Sequence, residues 1–145
     1  MKKFILFFAL FVACISFAQA QNYTGSYTGT MDEIRMNDKT YDSQTGKTFT
    51  LSASKLTGTV NKIGSMPGTI TIDLDISVDS NGNITAVNET KCGELKVLGL
   101  IPIALKLSNL SNASVKDGTL EFTLECTGTY LGKSYSAHIH FSGTK

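Results

Sequence analysis

Thr69-Ile-Thr-Ile-Asp-Leu-Asp-Ile-Ser-Val78 alternates strictly between aliphatic and polar side chains. Successive side chains of a β-strand point to opposite faces, so this stretch has one aliphatic face and one polar face. On a helix, where each residue turns by roughly 100°, the same aliphatic positions would spread around the whole cylinder. The stretch therefore predicts a long strand with one face in a hydrophobic core and the other in water.

A turn follows this strand at Asp79-Ser-Asn-Gly-Asn83. Its serine and first asparagine fit a type I turn, and its glycine fits the positive φ of a bulge. A three-residue loop of this kind sets Val78 opposite Ile84, whereas a two-residue turn would shift the register by one. We prefer the three-residue loop because it keeps the aliphatic residues on one face. Continued further, its register places the polar Asn88 opposite Leu74.

The same two-residue alternation recurs along the chain, and turn residues separate the alternating segments at intervals of roughly 8 to 12 residues. The segments span residues 23–31, 47–53, 56–63, 119–127 and 134–141. No segment has the periodicity of a helix. The pattern predicts an all-β barrel or sandwich of about eight to ten strands.

The most apolar stretch after the N-terminal region runs from Glu94 to Leu107. Gly99 and Pro102 exclude a regular helix through it and a central strand across the proline. We expect two short strands joined at the glycine, the second with Ile101, Ile103, Leu105 and Leu107 on one face. Leu98 and Leu100 have no obvious buried side, and if exposed they form an apolar rim or lid.

The N-terminus has the composition of an export signal. Lys2 and Lys3 precede an apolar run, which ends at Ala18-Gln-Ala20. We place a signal peptide at residues 1–20, with cleavage after the last alanine. A membrane anchor is the alternative, but about 14 apolar residues fall short of the roughly 20 that span a bilayer. A second alternative is acylation of Cys14, whose surroundings loosely resemble a lipobox, and membrane attachment is expected only in that case.

Without residues 1–20 the chain has 125 residues, 11 of them basic and 12 acidic, for a net charge of −1. This balance favours neither nucleic acid nor an anionic membrane as a partner. A chain of this length normally forms one domain with its own core. We therefore predict a single domain at residues 21–145, which its export signal directs to the periplasm, the cell surface or the medium.

Two cysteines remain after the signal, Cys92 and Cys126. In an exported protein they could close a loop of about 34 residues, worth roughly 3 to 4 kcal/mol in the chain-entropy model. The alternative is two buried free thiols that behave as small hydrophobic side chains. Neither cysteine has the local features of an activated thiolate.

His138 and His140 lie two residues apart and share the polar face of the last predicted strand. Zinc would require further ligands, and no carboxylate or cysteine lies nearby in the sequence. We therefore expect these histidines to face water and predict no metal site. No serine, histidine and aspartate combination has a nucleophile elbow around it, so we also predict no catalytic residues, no cofactor and no enzymatic activity.

Tyr23-x-Gly25-x-Tyr27-x-Gly29, the central alternating strands and the closing Gly132-Lys-Ser-Tyr-Ser-Ala-His-Ile-His-Phe-Ser-Gly143 resemble the secreted calycin-like β-barrel domains found in many Bacteroidetes. The resemblance covers nearly all of residues 22–145. It implies a single antiparallel up-and-down barrel of about eight strands, related in shape to the lipocalins. The Gly-x-Trp signature of the lipocalins is absent, since the chain has no tryptophan.

Two functional hypotheses follow. The first is a binding module that holds a small apolar ligand inside the barrel. The second is a fully packed barrel that acts as an interaction protein or inhibitor through its loops, mainly residues 37–46 and 108–117. A hollow interior of several hundred Å³ would favour the first. The expected ligand-lining residues are Ile72, Leu74, Ile76, Leu98, Leu100, Ile101, Ile103, Leu105, Phe122 and Leu124.

Overall fold

The computed structural model describes residues 23–61, 63–64, 66–88 and 90–145. These residues form ten β-strands and no helix, and none of them belongs to a helical segment that could cross a membrane. The strands are β1 (Gly25–Met36), β2 (Lys39–Tyr41), β3 (Gln44–Leu51), β4 (Lys55–Val60), β5 (Gly68–Val78), β6 (Ile84–Ala86), β7 (Gly93–Val97), β8 (Ile101–Lys116), β9 (Thr119–Tyr130) and β10 (Lys133–Thr144). The predicted signal peptide, its cleavage site and the alternative acylation at Cys14 lie outside the described residues.

Eight of the strands close into an antiparallel barrel in the order β1, β3, β4, β5, β7, β8, β9 and β10, and β10 pairs back onto β1. Strands that follow one another around the barrel also follow one another in the chain, apart from the short β2 and β6. This is the up-and-down connectivity predicted above. The all-β class and the closed barrel are therefore confirmed.

The long predicted strand is β5, and its aliphatic face lies in the core. Ile70, Ile72, Leu74 and Ile76 are at most 3% exposed. The turn after β5 has the predicted three-residue form, since Val78 pairs with Ile84 and Gly82 has a φ of +82°.

The prediction that this register continues as far as Asn88 was wrong. β6 ends at Ala86, and β7 then takes its place beside β5, so that Ile72 pairs with Gly93. Asn88 is exposed in the connection between the two strands and does not face Leu74.

The sequence also misplaced parts of both expected loops. Residues 37–46 contain β2 and the start of β3. Residues 108–116, expected as a polar loop, belong to β8, which has 16 residues and keeps pairing with β9 across two irregularities in register. The irregularities allow β8 to bend around the barrel although its polar and apolar residues do not alternate cleanly. By contrast, Pro102 lies in the first part of β8, where the strand pairs with β7 alone. The prediction that no central strand crosses this proline is therefore confirmed.

The centre of the core is a cluster of three aromatic rings. Phe49, Phe122 and Phe141 are each at most 1% exposed, and their ring centroids lie 4.7 to 5.4 Å apart. Near them the barrel closes where Gly29 of β1 pairs with Gly143 of β10. A Cβ atom at Gly29 would lie 2.0 Å from the carbonyl oxygen of Ser142, so the seam between the first and last strands requires a residue without a side chain.

Candidate functional site

The described barrel strands all contribute buried side chains to the core. Of the ten residues expected to line a ligand cavity, six are buried in the core: Ile72, Leu74, Ile76, Leu105, Phe122 and Leu124. A cavity beside them, bounded by residues that include Met36, Val60 and Ile139, has a volume of only about 10 Å³. This is room for one water molecule at most.

The other four expected lining residues lie at one end of the barrel. Leu98 and Leu100 are 81% and 83% exposed, Ile101 is 45% exposed, and Ile103 is half-buried. The two leucines were expected to form an apolar rim or lid if exposed, and that condition is met. The structure thus separates the expected lining residues into a core and a surface instead of gathering them around one cavity.

We call this end of the barrel the cleft end. In an up-and-down barrel alternate turns lie at the same end, which here brings together the β1–β2, β7–β8 and β9–β10 turns. The backbone N–H of Leu98 also donates a hydrogen bond to the carbonyl of Pro67, which joins the β7–β8 turn to the segment before β5. Leu131, at the β9–β10 turn, is 83% exposed. Leu98, Leu100 and Ile101 at the β7–β8 turn, and Leu131 at the β9–β10 turn, make up what we call the apolar rim.

A cleft of about 950 Å³ opens beside the apolar rim. It is lined by residues 102–104 of β8, 127–129 of β9, 134–136 of β10 and the β1–β2 turn at Asn37 and Asp38. The cleft exists because two neighbouring strands separate. Pairing between β8 and β9 reaches only to Lys106 and Thr127, after which β8 pairs with β7 alone and β9 with β10 alone.

The end of the β9–β10 hairpin extends beyond the rest of the barrel. Pairing of β1 with β10 ends at Met36 and Ala137, followed by a backbone hydrogen bond of 2.8 Å from the Asn37 N–H to the Ser136 carbonyl. Residues 128–135 therefore form a two-stranded tip, and no strand of the described residues pairs with either side of it. Tyr135 of this tip is half-buried and lines the cleft.

The two histidines form a second cluster, on the outer face of β1, β9 and β10. His140 lies between two carboxylates, with Nδ1 2.5 Å from Asp32 and Nε2 2.9 Å from Glu121. Both ring nitrogens donate hydrogen bonds only in the imidazolium form. Burial lowers the pKa of His140, but the hydrogen bonds to Glu121 and Asp32 outweigh it and raise the pKa above its ordinary value of 6.5.

His138 has a comparable environment. Its Nδ1 lies 2.7 Å from Glu125 and 3.0 Å from Arg35, and its Nε2 lies 3.6 Å from Glu33. The side chains of His138 and His140 are only 14% and 19% exposed, so the expectation that they face water was wrong. Within the described ranges, no group of three or more histidines, cysteines or acidic residues is arranged to hold a metal ion. The cluster instead links β9 and β1 to β10 across the seam.

The two cysteines meet inside the barrel as buried free thiols, which is the second of the alternatives left open by the sequence. Cys92 precedes β7 and Cys126 lies on β9. The contact with Cys126, together with burial, raises the pKa of the Cys92 thiol above its ordinary value. A thiol held in its neutral form is a poor nucleophile.

The chain was also compared with known proteins. No family model, no curated protein and no solved structure matches it.

Proposed function

We propose that this protein is an exported, non-enzymatic interaction module that binds its partner at the cleft end of a packed barrel. The observation that carries the proposal is the apolar rim, in which Leu98, Leu100 and Leu131 are each more than 80% exposed beside a cleft of about 950 Å³. Leaving large apolar side chains in water costs free energy, and a group of them next to a concave surface is typical of an interaction site.

The packed interior favours this proposal over a ligand held inside the barrel. A drug-sized or lipid-sized molecule needs a cavity of roughly 300 Å³ or more. The cavity beside Ile72 and Leu124 has about 10 Å³, so a ligand there would have to displace core side chains. A partner at the surface requires no such rearrangement.

The polar groups of the cleft also favour binding over catalysis. Among its lining residues the ionisable groups are Asp38, Lys106 and Tyr135, whereas His138 and His140 lie beside carboxylates on the outer face. Histidine is the most frequent general acid or base, and neither histidine of the chain lines the cleft. The paired lysines of the N-terminus and the small residues up to Ala20 support export, and the resemblance to secreted calycin-like domains agrees with it.

The test removes the rim and leaves the barrel intact. Leu98, Leu100 and Leu131 are changed together to serine, and Val87→Ser is the matched control, because Val87 is 67% exposed beside Asp75, away from the rim. Binding of the fluorescent apolar probe anilinonaphthalene sulfonate is then measured by titration. We expect saturable binding to the wild type and the control, and a decrease of at least tenfold in the triple variant. Equal binding by all three proteins would contradict the proposal.

A second measurement tests the rival hypothesis. Native mass spectrometry of the protein purified from its own host shows whether a lipid-sized adduct remains bound. We expect the mass of the chain alone. A stoichiometric adduct that survives in the triple rim variant would establish the interior ligand instead.

A further inference from the structure

We propose that the cleft receives an extended peptide segment of the partner, which adds as a β-strand to the free edge of β9. This inference rests on the proposed function and names the chemistry of the partner. An unpaired strand edge presents a row of backbone donors and acceptors, and extended peptides bind proteins by completing such rows.

The free edge is defined by the pairing of the β9–β10 hairpin. Tyr130 and Lys133 flank a two-residue turn and pair with each other, and residues in this position exchange backbone hydrogen bonds. The direction of the hydrogen bonds alternates along a strand, so Gly128 also bonds to β10. Thr129 lies between them, and its N–H and C=O therefore point away from β10 and into the cleft.

The opposite wall of the cleft is a weaker template. Lys106 is the first residue of β8 that pairs with β9, and by the same alternation Ala104 and Pro102 present their backbone to the cleft. Pro102 has no N–H, which removes one donor from this edge. An incoming strand therefore finds a donor and an acceptor at Thr129 on one wall and at Ala104 on the other, but on β8 the next position, Pro102, offers an acceptor alone.

The side chains around the cleft indicate what the strand carries. Ile103 and Tyr135 are half-buried in the cleft, and the apolar rim continues from it. Side chains of a bound strand point alternately into and out of the cleft, so every second residue of the segment is expected to be apolar. The unpaired part of β9 spans Gly128–Tyr130, or about 10 Å of strand, which pairs with about three residues of a bound segment.

The experiment changes the backbone donor and leaves the rim unchanged. Thr129→Pro removes the N–H that faces the cleft. An edge strand tolerates proline at such a position. Thr129→Val keeps the N–H and is the matched control. The probe is a capped, fluorescein-labelled peptide of alternating valine and threonine with one terminal lysine for solubility. Circular dichroism checks that both variants keep the β-sheet spectrum of the wild type.

We expect fluorescence anisotropy to give the same affinity for the wild type and Thr129→Val, and an affinity at least tenfold lower for Thr129→Pro. The peptide should also slow hydrogen exchange of the Thr129 amide at least tenfold in the wild type. If both Thr129 variants bind equally and the triple rim variant does not, strand addition is refuted while the proposed function stands. The absence of binding to any of these proteins also refutes strand addition.

A second copy of the chain is the rival occupant of the same edge. Light scattering of the protein without peptide is expected to show a monomer. A dimer that Thr129→Pro dissociates and Thr129→Val does not would show that this edge pairs with another copy, and it would overturn the peptide proposal.

Discussion

Phe122 is the side chain whose truncation most directly tests whether the barrel is filled. It is 0% exposed, and its ring centroid lies 5.0 Å from that of Phe49 and 5.4 Å from that of Phe141. Burial of a phenylalanine contributes about 1.5–3 kcal/mol. Each of its two ring contacts adds about 0.5–1.5 kcal/mol. We therefore expect Phe122→Ala to lower the free energy of unfolding by about 3–5 kcal/mol, as for other phenylalanines in packed cores.

The assay is urea unfolding followed by far-ultraviolet circular dichroism. The midpoint should fall while the slope m stays unchanged, which identifies a change in stability of the same folded state. Val87→Ala is the control, because its side chain is exposed and the change should stay within about 0.5 kcal/mol. A domain of this size has a stability of about 5–15 kcal/mol, so Phe122→Leu, expected to cost about 1 kcal/mol, is included in case the alanine variant does not fold.

A loss below about 1 kcal/mol for Phe122→Ala would refute the reasoning, because it would mean that the ring borders empty space rather than close-packed neighbours. The interior ligand hypothesis would then regain its basis. In the packed barrel, by contrast, only the alanine variant should acquire a dry cavity that binds benzene. Nuclear magnetic resonance of the core methyl groups during benzene titration distinguishes the two cases.

Three further results are expected. The pKa of His140 is raised in the folded state, so the stabilisation from its protonated form is present below about pH 6.5 and is lost as the pH rises through the raised pKa. The urea midpoint of unfolding should therefore be higher at about pH 5.5 than at about pH 8.5, and His140→Gln should reduce this difference. Gly29→Val should cost about 2 kcal/mol or more in urea unfolding, because its Cβ would lie 2.0 Å from the Ser142 carbonyl oxygen, and an unchanged midpoint would contradict the close approach. Thiol titration without reductant should detect no reactive thiol in the folded protein and two thiols after unfolding, from Cys92 and Cys126. If no thiol is detected after unfolding, the two cysteines form a disulfide.

The parts of the fold that the sequence predicted correctly depend on neighbours in the chain. Side-chain alternation alone predicts β5, with one apolar and one polar face. The serine, asparagine and glycine of the five-residue turn that follows predict the loop after it. The register of Val78 against Ile84 is then fixed, because the other register would turn aliphatic residues towards water. The sequence left Leu98 and Leu100 without an obvious buried side, which agrees with their exposure, although both were also expected to line a ligand cavity.

The parts that it missed depend on residues far apart in the chain. Asp32 reaches His140 from 108 residues away, across the seam between the first and last strands. Glu121 and Glu125 face the two histidines only because β9 and β10 pair in one particular register. The alternation of β9 could have indicated these contacts, because both glutamates lie on its polar face, next to the polar face of β10.

The cleft could not be predicted from residue types, because it arises from unequal strand lengths. Alternation continues through Thr129 and Tyr135 whether or not a neighbouring strand is present. Pro102 was the one local sign of a free edge, since a proline marks a place where a strand lacks a partner on one side. The packed interior likewise depends on how side chains from all eight strands meet.

The pairing of β1 with β10 has a consequence for biosynthesis. The barrel cannot close until the residues of β10 have left the ribosome, so during synthesis the earlier strands form at most an open sheet with two long edges. Until then both edges of the sheet can pair with other chains, and this aggregation-prone surface is removed when the twelve-residue strand Lys133–Thr144 is in place.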